Sequence, residues 1–334
     1  MGRKKYHKDP AVTKQITPMA TACHNRLGFD AVLVAKMLIL DIISAIMATE
    51  INLTPTGTPF KTDDGIITGR TWGNPSDCRA GALIVHGLGA HSGWNEALGR
   101  RFKVRGFYTL AYDQVGCGKR NSQRIKNRQQ WLDDFIYAYE TLAQQVGDKP
   151  LFVMGNSMGA LVALASLKQL KPKPDGIVLF SPGFDGCPQT FTLAYKLKAI
   201  FKALFDPKAK IDLPYDATKV SREETVRHWI ANDKESILSL PGEMMLELLR
   251  LTLEIPKYYP STQVPLIMLT AGKEYIVDNK AALAAFSKIE APEKKHLHFE
   301  EAWHDLLLDR DLDDVCENLC QWLSKICPEK LTTP

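Results

Sequence analysis

One short stretch of this sequence constrains the fold more than any other. Residues 151–154 are apolar, Gly155-Asn-Ser-Met-Gly159 follows, and residues 160–169 are rich in alanine and leucine. A buried strand, a G-x-S-x-G turn and a helix in this order are the context of a nucleophile elbow, where small residues let strand and helix approach closely. A chance glycine-serine turn is the alternative, and the flanking strand and helix argue against it. The pattern predicts a serine hydrolase with Ser157 as its nucleophile.

Short apolar strands alternate with helices through much of the chain. Strands are predicted at residues 82–85, 107–112, 151–154, 177–180, 266–269 and 296–300, helices near 95–104 and 129–146, and a hairpin around Asp64-Gly65. This alternation predicts an α/β fold with a mostly parallel central sheet covered by helices on both faces. In such sheets the catalytic groups gather at the carboxyl ends of the strands.

The alternation stops between residues 181 and 265, where helical stretches are separated by prolines. We therefore predict a catalytic domain over residues 54–330 with an inserted helical lid at about 183–262. The first lid helix, predicted at 191–205, combines apolar residues at three- and four-residue spacing with lysines on its other sides. Such a helix can pack its apolar stripe on the body, which we favour, or lie in a membrane surface, and the two are compatible.

The N-terminal segment, residues 1–53, is basic and contains a hydrophobic stretch at 31–48 that Lys36 and Asp41 interrupt. Each charge costs about 2.5–3.5 kcal/mol in a membrane-spanning helix, whereas each Leu, Ile or Val returns only about 0.3–0.6 kcal/mol. Three alternatives stay open: a membrane-anchoring or interfacial helix, which we favour, a helix packed on the body, and a true span. The basic flank favours a cytoplasmic N-terminus, so we expect a cytoplasmic protein or one held at the cytoplasmic face of a membrane.

Composition excludes several classes of protein. The net charge of +4 is mild and no basic stretch is interleaved with aromatic residues, so nucleic acid is not an expected partner. Seven scattered cysteines without a C-x-x-C pair suggest a reducing compartment. Cys316 and Cys320 could share a helix face and bind zinc, but two ordinary thiols are favoured. We find no phosphate-binding or dinucleotide fingerprint, expect no cofactor or metal, and leave the oligomeric state open.

A serine nucleophile needs a general base, an acid that orients the base, and donors for the oxyanion. In this kind of fold the chain order is serine, acid, histidine. His304 follows the last predicted strand and is the expected base. The other histidines precede Ser157 or lie in the predicted strand or lid: His7, His24, His86, His91, His228, His296 and His298.

The acid should follow the strand predicted at 266–269, where two carboxylates are candidates. Glu274 lies in the loop just past the strand, and Asp278 directly precedes a predicted helix, where it suits an N-cap. We therefore favour Glu274 and keep Asp278 as the alternative. The expected oxyanion donors are the backbone N–H groups of Met158, the residue after the nucleophile, and Leu88, in the loop after the strand predicted at 82–85.

Four segments together resemble the monoglyceride lipase and lysophospholipase branch of the α/β-hydrolases, over about residues 54–325. They are His86-Gly-Leu-Gly-Ala-His-Ser-Gly-Trp94, Asp113-Gln-Val-Gly-Cys-Gly118, Gly155-Asn-Ser-Met-Gly159 and the segment from Glu274 to His304. The resemblance implies the α/β-hydrolase fold and hydrolysis of monoacyl lipid esters. It also implies a triad of Ser157, Glu274 or Asp278, and His304, with Leu88 and Met158 as the oxyanion hole.

The sequence departs from this family at five positions. Glu274 stands where an aspartate is usual, although Asp278 matches a second acid often present. Cys117 and Arg120 replace a histidine and a serine of a D-x-x-G-H-G-x-S loop, which we interpret as structural. Trp94 and Asn95 replace an Arg-Tyr pair.

We expect Ser157 to attack a monoacylglycerol or lysophospholipid ester and to form an acyl-enzyme that water hydrolyses. The expected partners are this lipid substrate and a membrane surface. Two alternatives remain. An acyltransferase would use the same triad to pass the acyl group to an alcohol or a thiol, and a membrane-bound module on the same fold would have no catalytic activity.

Overall fold

The computed structural model describes residue 51 and residues 53–328. The hydrophobic helix predicted at 31–48 lies outside the described residues, as do the rest of residues 1–50 and residues 329–334. Within the part of the chain that is described, no helix combines the length and the apolar character needed to cross a membrane.

A single large sheet organises the described residues. The strands are β1 (Thr58–Lys61), β2 (Thr68–Trp72), β3 (Ala80–Val85), β4 (Phe107–Tyr112), β5 (Leu151–Asn156), β6 (Gly176–Phe180), β7 (Lys210–Asp212), β8 (Ser239–Pro241), β9 (Leu266–Ala271) and β10 (Lys294–Phe299). Eight of them pair in the order β1-β2-β4-β3-β5-β6-β9-β10. The pairs β1–β2 and β2–β4 are antiparallel and the other five are parallel. The predicted α/β fold with a mostly parallel sheet is confirmed.

Helices cover both faces of this sheet. They are α1 (Glu96–Val104), α2 (Gln129–Val146), α3 (Met158–Ser166), α4 (Leu193–Phe205), α5 (Glu224–Asn232), α6 (Gly242–Glu254), α7 (Asn279–Lys288) and α8 (Leu312–Ile326). Because successive strand residues point to opposite faces, Leu83 packs in a core with α2 and α3, whereas Ile84 packs in a core with α1 and α8. The five central strands β3, β4, β5, β6 and β9 are therefore buried along their whole length rather than at alternate residues, as expected for a parallel sheet covered on both faces.

The inserted segment, residues 181–265, joins β6 to β9 and contains α4, α5 and α6. It also contains an antiparallel ribbon of β7 and β8, with Ile211 opposite Leu240. The ribbon is missing from the sequence prediction because three-residue strands are too short to show a period-two pattern. Helix α4 begins at Leu193 rather than at the predicted residue 191, since the Thr192 hydroxyl caps it by accepting a hydrogen bond from the backbone N–H of Tyr195.

The packing that we favoured for α4 is wrong for its large apolar side chains. The buried residues of α4 are Ala199 and Ala203, and the helix lies against α6. Ile200 is half-buried and lines a cavity, but the other large side chains of the stripe are exposed, with Leu193 72% and Phe201 64% accessible. The small residues face the protein because they permit a close approach to α6, where a Cβ on Gly242 would lie only 2.8 Å from the Ala203 Cα.

Candidate active site

Ser157 lies on the sharp turn between β5 and α3. Its backbone has φ +53° and ψ −116°, in the region of positive φ that residues other than glycine rarely adopt. A Cβ on Gly155 would lie 2.4 Å from the Gly159 carbonyl oxygen, and one on Gly159 would lie 2.3 Å from the Val85 carbonyl oxygen. Both glycines are therefore required by the close approach of strand and helix, and the turn has the geometry predicted for a nucleophile elbow.

His304 and Glu274 form a buried pair beside the elbow. The Nδ1 atom of His304 lies 2.9 Å from Oε2 of Glu274, and a carboxylate can only accept, so Nδ1 donates and Nε2 is free to accept a proton. The other oxygen of Glu274 accepts the backbone N–H groups of Ile276 and Val277, at 2.7 and 3.1 Å. Burial lowers the pKa of His304, but the charge and hydrogen bond of Glu274, with the charge of Asp305, outweigh it and raise the pKa above its ordinary value of 6.5.

Asp278 occupies a different position. Its side chain accepts the backbone N–H of Lys280 at 2.8 Å, as the N-cap of α7. Among the hydrogen bonds and ion pairs of the described residues, none links Asp278 to His304. The structure thus brings Glu274 to the histidine and leaves Asp278 at the helix terminus.

A buried hydrogen bond ties the elbow to the histidine loop. Asn156 Nδ2 donates to Asp305 Oδ2 at 2.8 Å, and these two residues directly adjoin Ser157 and His304 in the chain. No hydrogen bond joins the Ser157 hydroxyl to the His304 ring among the described residues. Catalytic hydrogen bonds of this kind are often long before substrate binds, so this geometry is compatible with a serine–histidine pair.

The loop after β3 packs directly against Ser157, where a Cβ on Gly87 would approach the Ser157 Cβ to 3.0 Å. Buried His86 fixes this loop: its Nε2 accepts the backbone N–H of Gln114 at 3.1 Å, so its Nδ1 donates to the Gly87 carbonyl at 2.7 Å. Burial lowers the pKa of His86 to about 4. The loop holds Leu88 beside Ser157 and Met158, and these three residues line one cavity.

That cavity has a volume of about 200 Å³ and extends from Ser157 between α4 and α6. Its walls are mainly apolar and include residues of both helices and of the loop that carries Glu274: Ala199, Ala203, Met245, Leu248, Ile276 and Val277. An ion pair between Lys196 and Asp185, at 2.7 Å, contributes polar atoms to the lining. A serine hydroxyl beside an apolar cavity suits an ester with an apolar acyl group.

Comparison with known proteins agrees with this geometry. Residues 76–311 match the family model described as "Serine aminopeptidase, S33", part of the α/β-hydrolases, and the match covers well over half of the chain. The chain belongs to this family. Human monoglyceride lipase is 24% identical over 255 residues, 75% of this chain and 82% of the relative. Phospholipase YtpA of Bacillus subtilis (strain 168) is 26% identical over 238 residues, 70% of this chain and 90% of the relative.

Solved structures show the same fold. A soluble variant of monoglyceride lipase from Saccharomyces cerevisiae, in complex with a substrate analog, superposes with a TM-score of 0.73 at 20% identity. The alignment covers 83% of this chain and 97% of the yeast chain. This α/β-hydrolase is thus monoglyceride lipase-like and a carboxylic ester hydrolase.

The unusual residues of the 113–120 loop are part of the core of the hydrolase. Arg120 is buried and donates to Asp134 at 2.7 Å and to the Asp113 carbonyl at 3.1 Å. Cys117 is fully buried, and burial raises the pKa of its thiol to about 12. A thiol that stays protonated is a poor nucleophile, so both replacements act on packing rather than on chemistry.

Sequence reasoning missed Asn156 and Asp305. Asp305 is almost fully buried, and burial raises its pKa to about 6. The one available signal was position, since each residue adjoins a predicted catalytic residue. The two are 149 positions apart, and no periodicity within either segment reveals such a contact.

Proposed function

We propose that this hydrolase cleaves the carboxylic esters of single-chain lipids, monoacylglycerols or lysophospholipids, through an acyl-enzyme on Ser157. The observation that carries the proposal is the mainly apolar cavity of about 200 Å³ that Ser157 helps to line. Its apolar walls suit the hydrocarbon chain of such an ester. The name of one relative, monoglyceride lipase, supports a single-chain substrate, and the name of the other, phospholipase, supports a lipid ester more generally.

The proposed reaction uses His304 as base and then as acid. Its Nε2 takes the proton of the Ser157 hydroxyl as the serine oxygen attacks the ester carbonyl, and Glu274 stabilises the imidazolium that forms. The backbone N–H groups of Leu88 and Met158 bind the oxyanion. The protonated ring then gives its proton to the departing alcohol oxygen, which leaves the acyl group on Ser157. Water, deprotonated by the same ring, releases the fatty acid and restores the serine.

Acyl-chain length should control the specificity of the hydrolase. Each methylene that enters an apolar site contributes about 0.8 kcal/mol, so kcat/KM should rise about fourfold per added methylene until the cavity is filled. The measurement uses monoacylglycerols and lysophospholipids of increasing length, with diacylglycerols of the same chains as controls. Equal rates on monoacyl and diacyl esters, or no dependence on chain length, would contradict the proposal. Faster transfer to an added alcohol than to water would favour the acyltransferase.

We also propose that the inserted segment is a lid that docks on a membrane surface at the cytoplasmic face. Seven large apolar side chains of α4 and α6 are exposed: Leu193, Leu197, Phe201, Leu204, Phe205, Leu249 and Leu253. Exposed Lys198 and Lys202 lie on the same helix as the first five, as in helices that bind anionic lipid surfaces. The cysteines of the described residues carry free thiols, which suits a reducing compartment.

The double substitution Phe201→Asp and Phe205→Asp should weaken binding to vesicles of phosphatidylcholine and phosphatidylserine. Each phenylalanine side chain contributes about 1.5–3 kcal/mol when it leaves water, so affinity should fall at least about 100-fold. Val104→Asp is the matched control, because Val104 is 81% exposed at the end of α1, outside the inserted segment. Binding is measured by vesicle sedimentation. An equal loss in both variants would remove the basis for a docking face on α4.

A further inference from the structure

Residues 220–237, which comprise α5 and its two flanks, form hydrogen bonds with two of the three loops that carry the candidate site and share an apolar cluster with the third. We call this stretch the α5 brace. The loops follow β3, β9 and β10, and they carry Leu88, Glu274 and His304 respectively. In the sheet β3 and β10 are separated by β5, β6 and β9. Four spacings of about 4.8 Å place these strands about 19 Å apart.

The brace holds the loop after β3 through its backbone. The N–H of Ile237 donates to the Gly89 carbonyl at 2.8 Å. Gly89 has φ +75°, and a Cβ there would lie 2.1 Å from the Ile237 carbonyl oxygen. Only glycine permits this approach, and Gly89 directly follows Leu88, the expected oxyanion donor.

Side chains reinforce the same contact. His91 Nε2 lies 2.6 Å from Asp233 Oδ2, and Gly93 N–H donates to His91 Nδ1 at 3.0 Å, so Nε2 carries the proton and donates. The Ser236 hydroxyl also donates to Asp233, at 2.6 Å, and accepts from Trp94 Nε1 at 3.0 Å. Burial raises the pKa of Asp233, but the hydrogen bonds from His91 and Ser236 outweigh it and hold the pKa at about 2.

The other end of the brace holds the histidine loop. The N–H of Asp305, the residue after His304, donates to the Val220 carbonyl at 3.0 Å, and the Ser221 hydroxyl donates to the Leu308 carbonyl at 2.6 Å.

A buried ion pair strengthens this end of the brace. Arg222 donates to the two oxygens of Asp309, from Nε at 2.6 Å and from its backbone N at 3.0 Å. Asp309 is fully buried.

An apolar cluster completes the contacts. Val226 and Ile230 of α5 are buried in it together with Ala90 from the loop after β3 and Leu308 from the histidine loop. Ile276 and Val277, whose backbone N–H groups hold Glu274, belong to the same cluster. The brace thus forms hydrogen bonds with the loops after β3 and β10, which lie four strand spacings apart in the sheet, and shares an apolar cluster with the loop after β9.

We propose that the α5 brace is a positioning element. It holds the loop after β3, which carries Leu88, and the histidine loop in their positions relative to Ser157. The inserted segment then has two parts with different tasks. The brace stays docked while the reaction proceeds, and α4 and α6 carry the substrate cavity and the exposed apolar face. This inference rests on the proposed function, because it assigns the brace to the same catalytic centre.

The test separates catalysis from lipid binding by using a short, water-soluble ester, p-nitrophenyl butyrate. Asp233→Ala weakens the contact between the brace and the loop after β3, and Arg222→Gln weakens the contact between the brace and the histidine loop. Because a misplacement of about 1 Å can cost about 100-fold in rate, each variant should lose about 10- to 100-fold in kcat with KM changed less than about threefold. Arg222→Lys, which keeps the charge facing Asp309, should recover part of the loss.

Arg128→Gln is the matched control. Arg128 joins the start of α2 to α6, with Nε 2.7 Å from Glu254, so it also ties the inserted segment to the body. Within the described residues, its hydrogen bonds and ion pairs are with Glu247 and Glu254 rather than with the three loops. Its kcat should stay within about twofold of the wild type. All rates are measured well below each variant's melting temperature, and Ser221→Ala replaces any Arg222 variant that fails to fold.

Unchanged kcat in the folded brace variants, or an equal loss in Arg128→Gln, would overturn the inference. A wild-type protein that neither reacts with a fluorophosphonate probe nor hydrolyses monoacyl esters would instead overturn the proposed function. The two failures are therefore distinguishable within one set of measurements.

Discussion

Replacing Ser157 with alanine should reduce ester hydrolysis by about a million-fold, the scale seen when a serine hydrolase loses its nucleophile. The folded state should survive, because no hydrogen bond of the described residues depends on the Ser157 hydroxyl and alanine has no bulk beyond Cβ. Turnover is followed with a long-chain monoacylglycerol, and the melting temperature is measured by circular dichroism. A fluorophosphonate probe should label the wild type and leave the variant unlabelled.

Ser181→Ala is the matched control for this experiment. Ser181 is the other non-glycine residue of the described chain with a positive φ, at +37°, and it is fully buried beside the elbow. Its substitution tests whether removing a hydroxyl from a strained, buried backbone position is enough to stop turnover. We expect Ser181→Ala to retain most of the activity. Substantial hydrolysis by Ser157→Ala would refute the assigned nucleophile, and an unlabelled, folded wild type would favour the non-catalytic module.

The elbow could be predicted from sequence because its determinants are local. Gly155, Ser157 and Gly159 lie within five positions, and a Cβ at either glycine would come within 2.5 Å of a backbone oxygen. The N-cap position of Asp278 was equally local, since it depends on the two residues that follow. Such features follow from covalent geometry and short-range hydrogen bonds, so the order of residues suffices to indicate them.

The orientation of α4 could not be predicted in the same way. Its apolar periodicity identifies a helix with an apolar face, but periodicity carries no information on what lies opposite that face. Two alanines face α6, whereas Leu193 and Phe201 face outward. The deciding factor is the close approach of two helices through small residues, which depends on the partner as much as on α4 itself.

Buried polar contacts between distant segments were also outside the reach of sequence reasoning. Arg120 belongs to a residue type that is mostly exposed, yet it is buried against Asp134. His91 and Asp233 are 142 positions apart, as are Trp94 and Ser236. The last two pairs form because the inserted segment packs against the loops of the sheet, and that packing is a property of the whole fold.

The second large effect concerns the acid of the triad. Glu274→Gln should reduce kcat by about 10⁴-fold, the loss typical when the acid of such a triad becomes an amide. The glutamine amide can donate to Nδ1 of His304, which leaves the proton on Nε2 and prevents that atom from accepting the serine proton. Asp278→Asn should stay within about twofold of the wild type, because asparagine is as good an N-cap as aspartate. Both variants are assayed with the same monoacyl ester.

The pH profile provides an independent measurement of the same role. The base must be deprotonated to act, so kcat/KM rises with pH as His304 loses its proton. Burial lowers the pKa of His304, and the Glu274 charge is the main influence that raises it. Removing that charge should lower the pKa, and the rising limb of the residual activity in Glu274→Gln should move to lower pH. The opposite result would be an unchanged rising limb of the pH profile in Glu274→Gln and a shifted limb in Asp278→Asn. It would transfer the acid role to Asp278, because only the carboxylate that is hydrogen-bonded to the imidazole can lower the pKa of His304 in this way when its charge is removed.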